Sequence, residues 1–180
     1  MAYTALDLDA AAAALKAGRA IAFPTETFYG LGCDALNPDA IGAVYAMKQR
    51  LYRRPLPVII GDAAQLSRIA KTIPPIAERL MAVCWPGPLS ILFPAIPEAP
   101  DLLTAGTGRV AVRFSPHPAC IDLCRASGLI LTASSANISG RPPVTRPEDL
   151  DPELTRGLGG VYVEGPPPAG GAPSTIVDIL

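Results

Sequence analysis

Short apolar runs alternate with helix-like segments along most of this sequence, and that alternation limits the possible fold more than any other feature. The runs at residues 19–23 and 129–133 are too short for helices and lack polar alternation, as expected of buried strands. Residues 8–17 instead place apolar side chains on one helical face, and Gly18 marks the stop. The pattern predicts a single α/β domain over residues 1–180, with flanking helices around a twisted, mixed or largely parallel sheet.

The remaining predicted elements follow the same rules of periodicity and capping. Asn37 and Pro38 mark the start of a helix that carries Lys48 on its apolar face. Further helices are predicted after Asp62 and over residues 75–84, 118–127 and 147–156, and further strands over residues 56–60, 89–93, 109–114, 161–164 and 174–179. Two polar stretches, residues 24–34 and 134–140, each follow a strand and are predicted to be functional loops.

Basic residues cluster at the end of the second predicted helix. Lys48 and Arg50 are followed closely by Arg53 and Arg54. Because like charges repel, such a cluster needs either an anion or solvent around it. A solvated helix end, where the macrodipole favours cations, explains the run as well as a ligand site does.

Arg113 and the second polar loop favour a ligand cleft. Arg113 shares the polar face of strand 109–114 with Arg109, and residues 134–137 carry hydroxyl and amide groups. Ligands of open α/β sheets bind beyond the carboxyl ends of strands, where both polar loops fall. Since arginine binds carboxylates and phosphates in bidentate fashion, these residues predict a binder of a phosphorylated or carboxylated small molecule.

The composition excludes several classes of protein. Apolar residues make up 49% of the chain and charged residues 17%, which is incompatible with intrinsic disorder. A formal net charge of −1 argues against a protein that binds polyanions over its whole surface. The sequence contains no apolar stretch long enough to span a membrane and no recognisable signal peptide. We therefore expect a cytoplasmic protein.

Cysteine and histidine spacing predicts neither a metal site nor a catalytic triad. The four cysteines lack C-x-x-C spacing, and the single histidine, His117, lies between two prolines. We expect reduced, mostly buried thiols, and we expect His117 to begin a helix rather than act as a general base. Phosphate-loop, dinucleotide-binding, zinc-protease and nucleophile-elbow motifs are absent. The chemistry must therefore rest on cations and small hydroxyl groups.

Several unusual strings, in this order, resemble the YrdC/TsaC family. They are Pro24-Thr-Glu-Thr-Phe-Tyr-Gly-Leu-Gly-Cys-Asp34, Lys48-x-Arg50, Pro55-Leu, Trp85-Pro-Gly-Pro-Leu89, Val110-Ala-Val-Arg113, Ser135-Ala-Asn-Ile-Ser-Gly-Arg-Pro142 and Ser174-Thr-Ile-Val-Asp178. The resemblance implies an α/β domain whose twisted sheet lines a deep, positively charged cavity.

The resemblance also implies an activity. The family makes L-threonylcarbamoyladenylate from L-threonine, bicarbonate or carbon dioxide, and ATP, and releases pyrophosphate, which is nucleotidyltransferase chemistry. The product serves the N6-threonylcarbamoyl modification of adenosine in tRNA, so a functional link to tRNA threonylcarbamoyl-transfer proteins is implied. Mg²⁺ is expected to arrive with ATP, without a cage of protein ligands.

Site residues can be carried over position by position from the family's K-x-R and S-x-N signature and its threonine contacts. The implied nucleotide-binding residues are Lys48, Arg50, Arg54, Ser135 and Asn137, of which Lys48 and Arg50 are also the implied catalytic residues. The implied L-threonine contacts are Thr25, Arg113 and Ser174.

Three departures point to the short, single-domain branch of the family. Ile59 stands where many longer relatives have a threonine-contacting histidine, and Pro143 stands where they often have a nucleotide-contacting serine. The sequence also ends at Leu180, soon after the last motif. Two alternatives remain: a YrdC-like module that binds RNA, or another carbamoyladenylate-forming enzyme, such as the related domain of hydrogenase-maturation carbamoyltransferases.

Overall fold

The computed structural model describes residues 3–179, in which helices and strands alternate. The strands are β1 (Ala5–Leu6), β2 (Ile21–Pro24), β3 (Tyr29–Gly32), β4 (Val58–Ile60), β5 (Leu89–Pro94), β6 (Arg109–Phe114), β7 (Leu131–Thr132), β8 (Ser134–Ser135), β9 (Val161–Tyr162) and β10 (Thr175–Asp178). The α-helices are α1 (Leu8–Lys16), α2 (Pro38–Met47), α3 (Pro75–Cys84), α4 (Asp101–Thr104), α5 (Pro118–Ser127) and α6 (Pro152–Gly157). None of the helices in the described residues has the length and apolarity to cross a bilayer.

The strands form two mixed sheets of five strands each. The first sheet has the order β1-β9-β2-β3-β8, and the second has the order β10-β5-β6-β4-β7. Within residues 3–179, parallel pairings join β1 to β9, β2 to β9, β4 to β6 and β5 to β10, whereas the other pairings are antiparallel. The prediction of an α/β domain with a mixed sheet is thus confirmed, with the strands divided between two sheets.

Both polar stretches predicted to be loops contain a strand. β3 lies within residues 24–34, where it pairs with β2, and β8 begins the stretch 134–140 and pairs with β3. β3 escapes strand prediction because two of its four residues are glycine. Gly32 is needed for close packing, since a Cβ there would lie 2.3 Å from the carbonyl oxygen of Thr132.

Four other parts of the chain differ from the prediction. The helix after Asp62 is a 3₁₀ helix, Ala63–Arg68, and residues 147–156 divide into a 3₁₀ turn, Pro147–Asp149, followed by α6. β1 and α4 were not expected; β1 is only two residues long and forms by pairing with β9. Such short elements depend on distant pairing and carry little periodic signal.

Helix capping follows the sequence rules closely. The side chain of Asn37 accepts hydrogen bonds from the backbone N–H groups of Asp39 and Ala40 at the start of α2, directly before Pro38. His117 caps α5 by accepting a hydrogen bond from Ala119 N at Nδ1, which confirms its predicted place at a helix entry. Gly128 ends the same helix with a positive φ of 72°.

Two buried apolar clusters hold the sheets and helices together. The larger cluster joins α2, through Val44 and Tyr45, to strands of the second sheet such as β4 and β6. The smaller cluster joins α1, α5 and β2, with Leu15 and Leu123 among its fully buried members.

The chain passes directly from one sheet to the other at a single residue. Thr132 ends β7 in the second sheet, Ser134 begins β8 in the first, and Ala133 lies between them. The backbone N–H of Ala133 donates to the carbonyl of Pro57 at 2.8 Å, which fixes this step beside β4.

Candidate active site

A cavity of about 370 Å³ is lined by residues of both sheets and by the loops that follow them. Its hydroxyl-bearing residues are Thr25, Thr27, Tyr29, Ser134, Ser135 and Ser174, and its basic residues are Arg50 and Arg113. Phe28 and Ile176 add apolar surface. This lining suits an anionic ligand that also carries hydroxyl groups or apolar atoms.

Most of the predicted site residues converge on this cavity. Thr25, Arg50, Arg113, Ser135 and Ser174 all line it. The other three do not line it: Lys48 and Asn137 contact Ser135 from behind, and Arg54 is exposed nearby. The separated sequence motifs therefore meet at one place, as the prediction of a common cleft requires.

Lys48 holds the turn that carries Ser135 and Asn137. It is 2% exposed, and its ammonium donates to the carbonyl oxygens of Ser135 and, at 2.7 Å, of Asn137. Burial, together with the nearby charge of Arg50, lowers the pKa of Lys48 to about 8. The apolar stripe of α2 thus directs Lys48 into the protein, behind the cavity wall.

The turn at residues 135–137 separates two cavities. Ser135 Oγ donates to Asn137 Oδ1 at 2.5 Å, while Asn137 Nδ2 donates to the carbonyl of Arg141 at 2.5 Å. Ser135 lines the first cavity, whereas Asn137 lines a second cavity of about 410 Å³ together with Pro142 and the acidic Asp149. One short turn therefore presents polar groups to both spaces.

Arg50 organises the loop that leads to β4. Its Nη2 donates to the carbonyl of Pro55 at 3.1 Å and its Nε donates to the carbonyl of Arg54 at 3.3 Å. Tyr45 also donates its hydroxyl to the Arg54 carbonyl, at 2.7 Å. The backbone carbonyl of Arg54 thus anchors this loop, although Arg54 itself does not line the cavity.

Arg113 is the buried cation of the second sheet. Its side chain is 6% exposed, and Nη1 donates to Glu26 Oε1 at 2.5 Å. Glu26 Oε2 accepts a second hydrogen bond from Ser115 Oγ at 2.5 Å. Arg109, on the same face of β6, instead pairs with Asp178 in an exposed contact. The strand therefore directs one of its two arginines into the cavity wall and the other towards solvent.

The hydroxyl of Thr25 closes a tight turn between β2 and β3. It donates to the carbonyl of Phe28 at 2.7 Å and accepts from the N–H groups of Thr27 and Phe28. Because these bonds fix the turn, the cavity-lining side chains of residues 25–28 are held in place before any ligand arrives.

Within the described residues, no group of three histidine, cysteine, aspartate or glutamate side chains is placed to hold a metal ion. The cavity itself offers hydroxyls and guanidiniums, and the nearby carboxylate of Glu26 is already bonded to Arg113. This donor set fits a divalent cation only when phosphate oxygens bring most of its ligands.

A sequence model of the family described as Sua5_yciO_yrdC, Telomere recombination, matches residues 13–180. The chain belongs to the Sua5/YciO/YrdC family. Threonylcarbamoyl-AMP synthase of Stenotrophomonas maltophilia (strain K279a) is 40% identical to it, over 87% of this chain and 85% of that protein. The enzyme of the same name from Bacillus subtilis (strain 168) is 41% identical over 93% of this chain, which spans 48% of that relative.

Solved structures of the Sua5/YciO/YrdC family share the fold. P. abyssi Sua5, in complex with L-threonine, superposes with a TM-score of 0.90 at 35% identity, over 96% of this chain and 50% of that one. E. coli YciO superposes with a TM-score of 0.83 at 22% identity, over 96% of this chain and 83% of that one. This chain thus corresponds to about half the length of the longer relatives.

Two of the three departures from the family pattern, Ile59 and Pro143, lie within the described residues. Ile59 is fully buried in β4, where it pairs with Arg113 across the sheet, and contributes to the smaller apolar cluster. Pro143 lies between Pro142 and Val144, which both line the second cavity.

Two polar residues at this site, Glu26 and Ser115, were not predicted from the sequence. Glu26 accepts one hydrogen bond from Arg113 and one from Ser115, while Ser134, in the predicted polar stretch, lines the cavity. The buried hydroxyl of Ser134 has no hydrogen-bond partner among the described residues. The only sequence signal for Glu26 was its position inside the first polar stretch, because partners so far apart in the chain leave no local pattern.

Proposed function

We propose that this chain is a threonylcarbamoyl-AMP synthase, a nucleotidyltransferase that uses L-threonine, bicarbonate or carbon dioxide, and ATP. Relatives of that name match most of the chain at about 40% identity, and one of them is covered over 85% of its own length. L-Threonine bound to P. abyssi Sua5 supports an amino acid as one substrate. The product would pass to proteins that transfer threonylcarbamoyl groups to tRNA.

One observation carries the proposal: two guanidiniums and a set of hydroxyls, drawn from distant segments, line one cavity. Arg113 is suited to the carboxylate of L-threonine, with Thr25 and Ser174 beside it. Arg50 and Ser135, on the same cavity, are suited to phosphate oxygens. The cavity therefore offers sites for two anions at once.

The reaction needs no general base or covalent nucleophile from the protein. The amine of L-threonine and carbon dioxide form a carbamate, with loss of one proton to solvent. A carbamate oxygen then attacks the α-phosphorus of ATP, and the bond to the leaving pyrophosphate breaks. Positioned cations can hold the two mutually repelling anions together, and they can neutralise charge on the leaving group.

Lys48 supports this chemistry from behind the cavity wall. Its charge lies against the Ser135–Asn137 turn, whose side chains would face the nucleotide. If Mg²⁺ binds together with ATP, it would supply positive charge that offsets part of the triphosphate charge. Arg50 and Ser135 would orient the phosphates.

Pyrophosphate release tests the proposal. The purified chain should release pyrophosphate when L-threonine, bicarbonate and ATP are all present. Release should be lost when any one of the three is omitted. Serine should react less well by about 10–200-fold in kcat/KM, because one methyl group changes binding by a limited amount. Salt-sensitive RNA binding without threonine-dependent pyrophosphate release would instead favour an RNA-binding module.

A further inference from the structure

A carboxylate stands directly behind the cationic end of the cavity. Arg113 lines the cavity, whereas Glu26, its partner in the ion pair, does not. The carboxylate is 16% exposed and uses both oxygens, one on Arg113 and one on the fully buried Ser115. Ser115, Glu26 and Arg113 therefore form a relay that ends at the cavity.

Burial explains why Arg113 needs this relay. A guanidinium that is nearly inaccessible to water requires a nearby anion, and a long side chain needs a fixed partner to keep one orientation. Within residues 3–179, the guanidinium of Arg113 donates a hydrogen bond to the carboxylate of Glu26. One hydrogen bond occupies one of five N–H donors, which leaves donors for a second carboxylate on the cavity side.

The backbone around Glu26 connects the same relay to the segment that carries Ser174 on the cavity wall. The carbonyl of Glu26 accepts from Ala169 N at 3.4 Å, and the carbonyl of Thr27 accepts from Gly170 N at 2.7 Å. The segment that begins at Ala169 continues to Ser174, which lines the cavity. The stretch around Glu26 thus follows Thr25 directly in the sequence and contacts Arg113 through the Glu26 side chain. Its backbone also holds the segment that leads to Ser174.

We propose that Glu26, locked by Ser115, is the positioning residue that orients Arg113 for the substrate carboxylate. Glu26 acts through Arg113 and does not itself contact the substrate. This inference rests on the proposed function for the identity of the amino acid. We expect Glu26 to affect the binding of L-threonine but not the binding of ATP, because Arg50 and the 135–137 turn lie outside the relay.

Substitution of the relay tests this assignment through a split in KM values. Glu26→Gln keeps the size of the side chain but removes its charge, and should raise the KM for L-threonine by about tenfold, with the KM for ATP within about twofold of wild type. Ser115→Ala should raise the KM for L-threonine by about threefold, because it frees Glu26 only partly. Glu26→Asp, which keeps the charge on a shorter stem, should fall between wild type and Glu26→Gln.

Arg109→Gln is the matched control, because it breaks another arginine–carboxylate pair on the same strand. Both KM values should remain those of wild type. Circular dichroism and urea unfolding establish that each variant is folded, and Ser115→Ala keeps the test available if Glu26→Gln does not fold.

The inference is overturned if Glu26→Gln leaves the KM for L-threonine unchanged, lowers it, or raises both KM values equally. A lower KM would mean that Glu26 competes with the substrate for Arg113. Calorimetric titration of L-threonine provides a second measurement that does not depend on turnover. If the wild-type chain binds L-threonine but releases no pyrophosphate, the proposed function fails while the role of Glu26 can still be measured.

Discussion

The ammonium of Lys48 is almost completely buried and is held by backbone carbonyls. Its burial determines the pH at which it loses its charge. Burial first, and the guanidinium of Arg50 second, lower its pKa from 10.5 to about 8. Lys48 is therefore charged near pH 7 and largely neutral near pH 9.5 in the folded protein. A charge so close to the cavity wall can be removed by a modest rise in pH.

We expect ATP binding to weaken by about tenfold between pH 7 and pH 9.5, because a neutral Lys48 no longer attracts phosphates through the 135–137 turn. Calorimetric titration with ATP alone measures this and avoids the titration of the L-threonine amine. Lys48→Met should bind ATP more weakly and lose most of the pH dependence. Identical pH profiles for the two proteins would contradict the expectation.

Ser134 offers a prediction about stability. Its buried hydroxyl has no partner among the described residues, so it loses its contact with water on folding and gains no bond. Ser134→Ala should stabilise the chain without substrates by about 1 kcal/mol in urea unfolding. Ser127→Ala is the control, since Ser127 is also buried but donates to the carbonyl of Leu123 at 2.6 Å; it should destabilise by about 1 kcal/mol. Equal effects would contradict the account.

Single residues of the site could be predicted only where a motif or an alternation carried them. Arg113 follows from the alternation of its strand, and Ser135 from its place in a polar stretch after a strand. The bonds that fix them could not be predicted, because Glu26 lies 87 positions from Arg113 and Lys48 lies 87 positions from Ser135. Such contacts are determined by how the two sheets pack.

At the scale of elements, α2 connects a half-buried N-terminal cap, Asn37, to the buried Lys48. Asn37 starts the helix by accepting from the N–H groups of Asp39 and Ala40 at 3.0 and 3.1 Å, and Lys48 is the C-terminal capping residue. The position of Lys48 behind the cavity wall thus depends on where this helix begins.

Asn37→Ala should lower the free energy of unfolding by about 1 kcal/mol, because two N–H groups lose their partner. Urea denaturation measures the loss, and Asn37→Asp, which keeps the accepting oxygen, should retain most of the stability. The cap acts on the helix and not on the ligand, so the KM for L-threonine should stay near the wild-type value. A loss as large for Asn37→Asp as for Asn37→Ala would contradict the capping role.

Elements with their own periodicity or cap were predictable, and those made by distant pairing were not. The bounds of α3 and α5 agree with the prediction because prolines begin both helices and Trp85 or Gly128 ends them. β3 and β8 were hidden because glycine and serine have low strand propensity. They form because Gly30 and Leu31 pair with Ser135 and Ser134 from a distant part of the chain.

At the scale of the whole molecule, buried thiols connect packing to alkaline stability. Burial raises the pKa of Cys33 and of Cys120 from 9.0 to about 12. The unfolded chain therefore loses these protons first, and the stability that they contribute is complete below pH 9 and is lost as pH rises towards 12. Lys48 acts in the opposite direction, since its contribution rises between about pH 8 and 10.5.

Replacing one of these thiols should make the fold less sensitive to alkali. Between pH 8.5 and pH 10.5 we expect wild type to lose on the order of 2 kcal/mol more stability than Cys120→Ala, because the variant has one fewer thiol to ionise on unfolding. Urea midpoints of both proteins at the two pH values, under reducing conditions, measure the difference. Parallel losses would show that Cys120 does not ionise on unfolding in this range.

The one-residue step at Ala133 has a consequence for selectivity. Since Thr132 and Ser134 belong to different sheets, and Ala133 is bonded to Pro57, the floor of the cavity is tied to both of its walls. A larger ligand therefore cannot be accommodated by a shift of one sheet relative to the other. It must instead displace other lining residues, so the cavity should be rigid beside Ala133 and should adjust only away from this step.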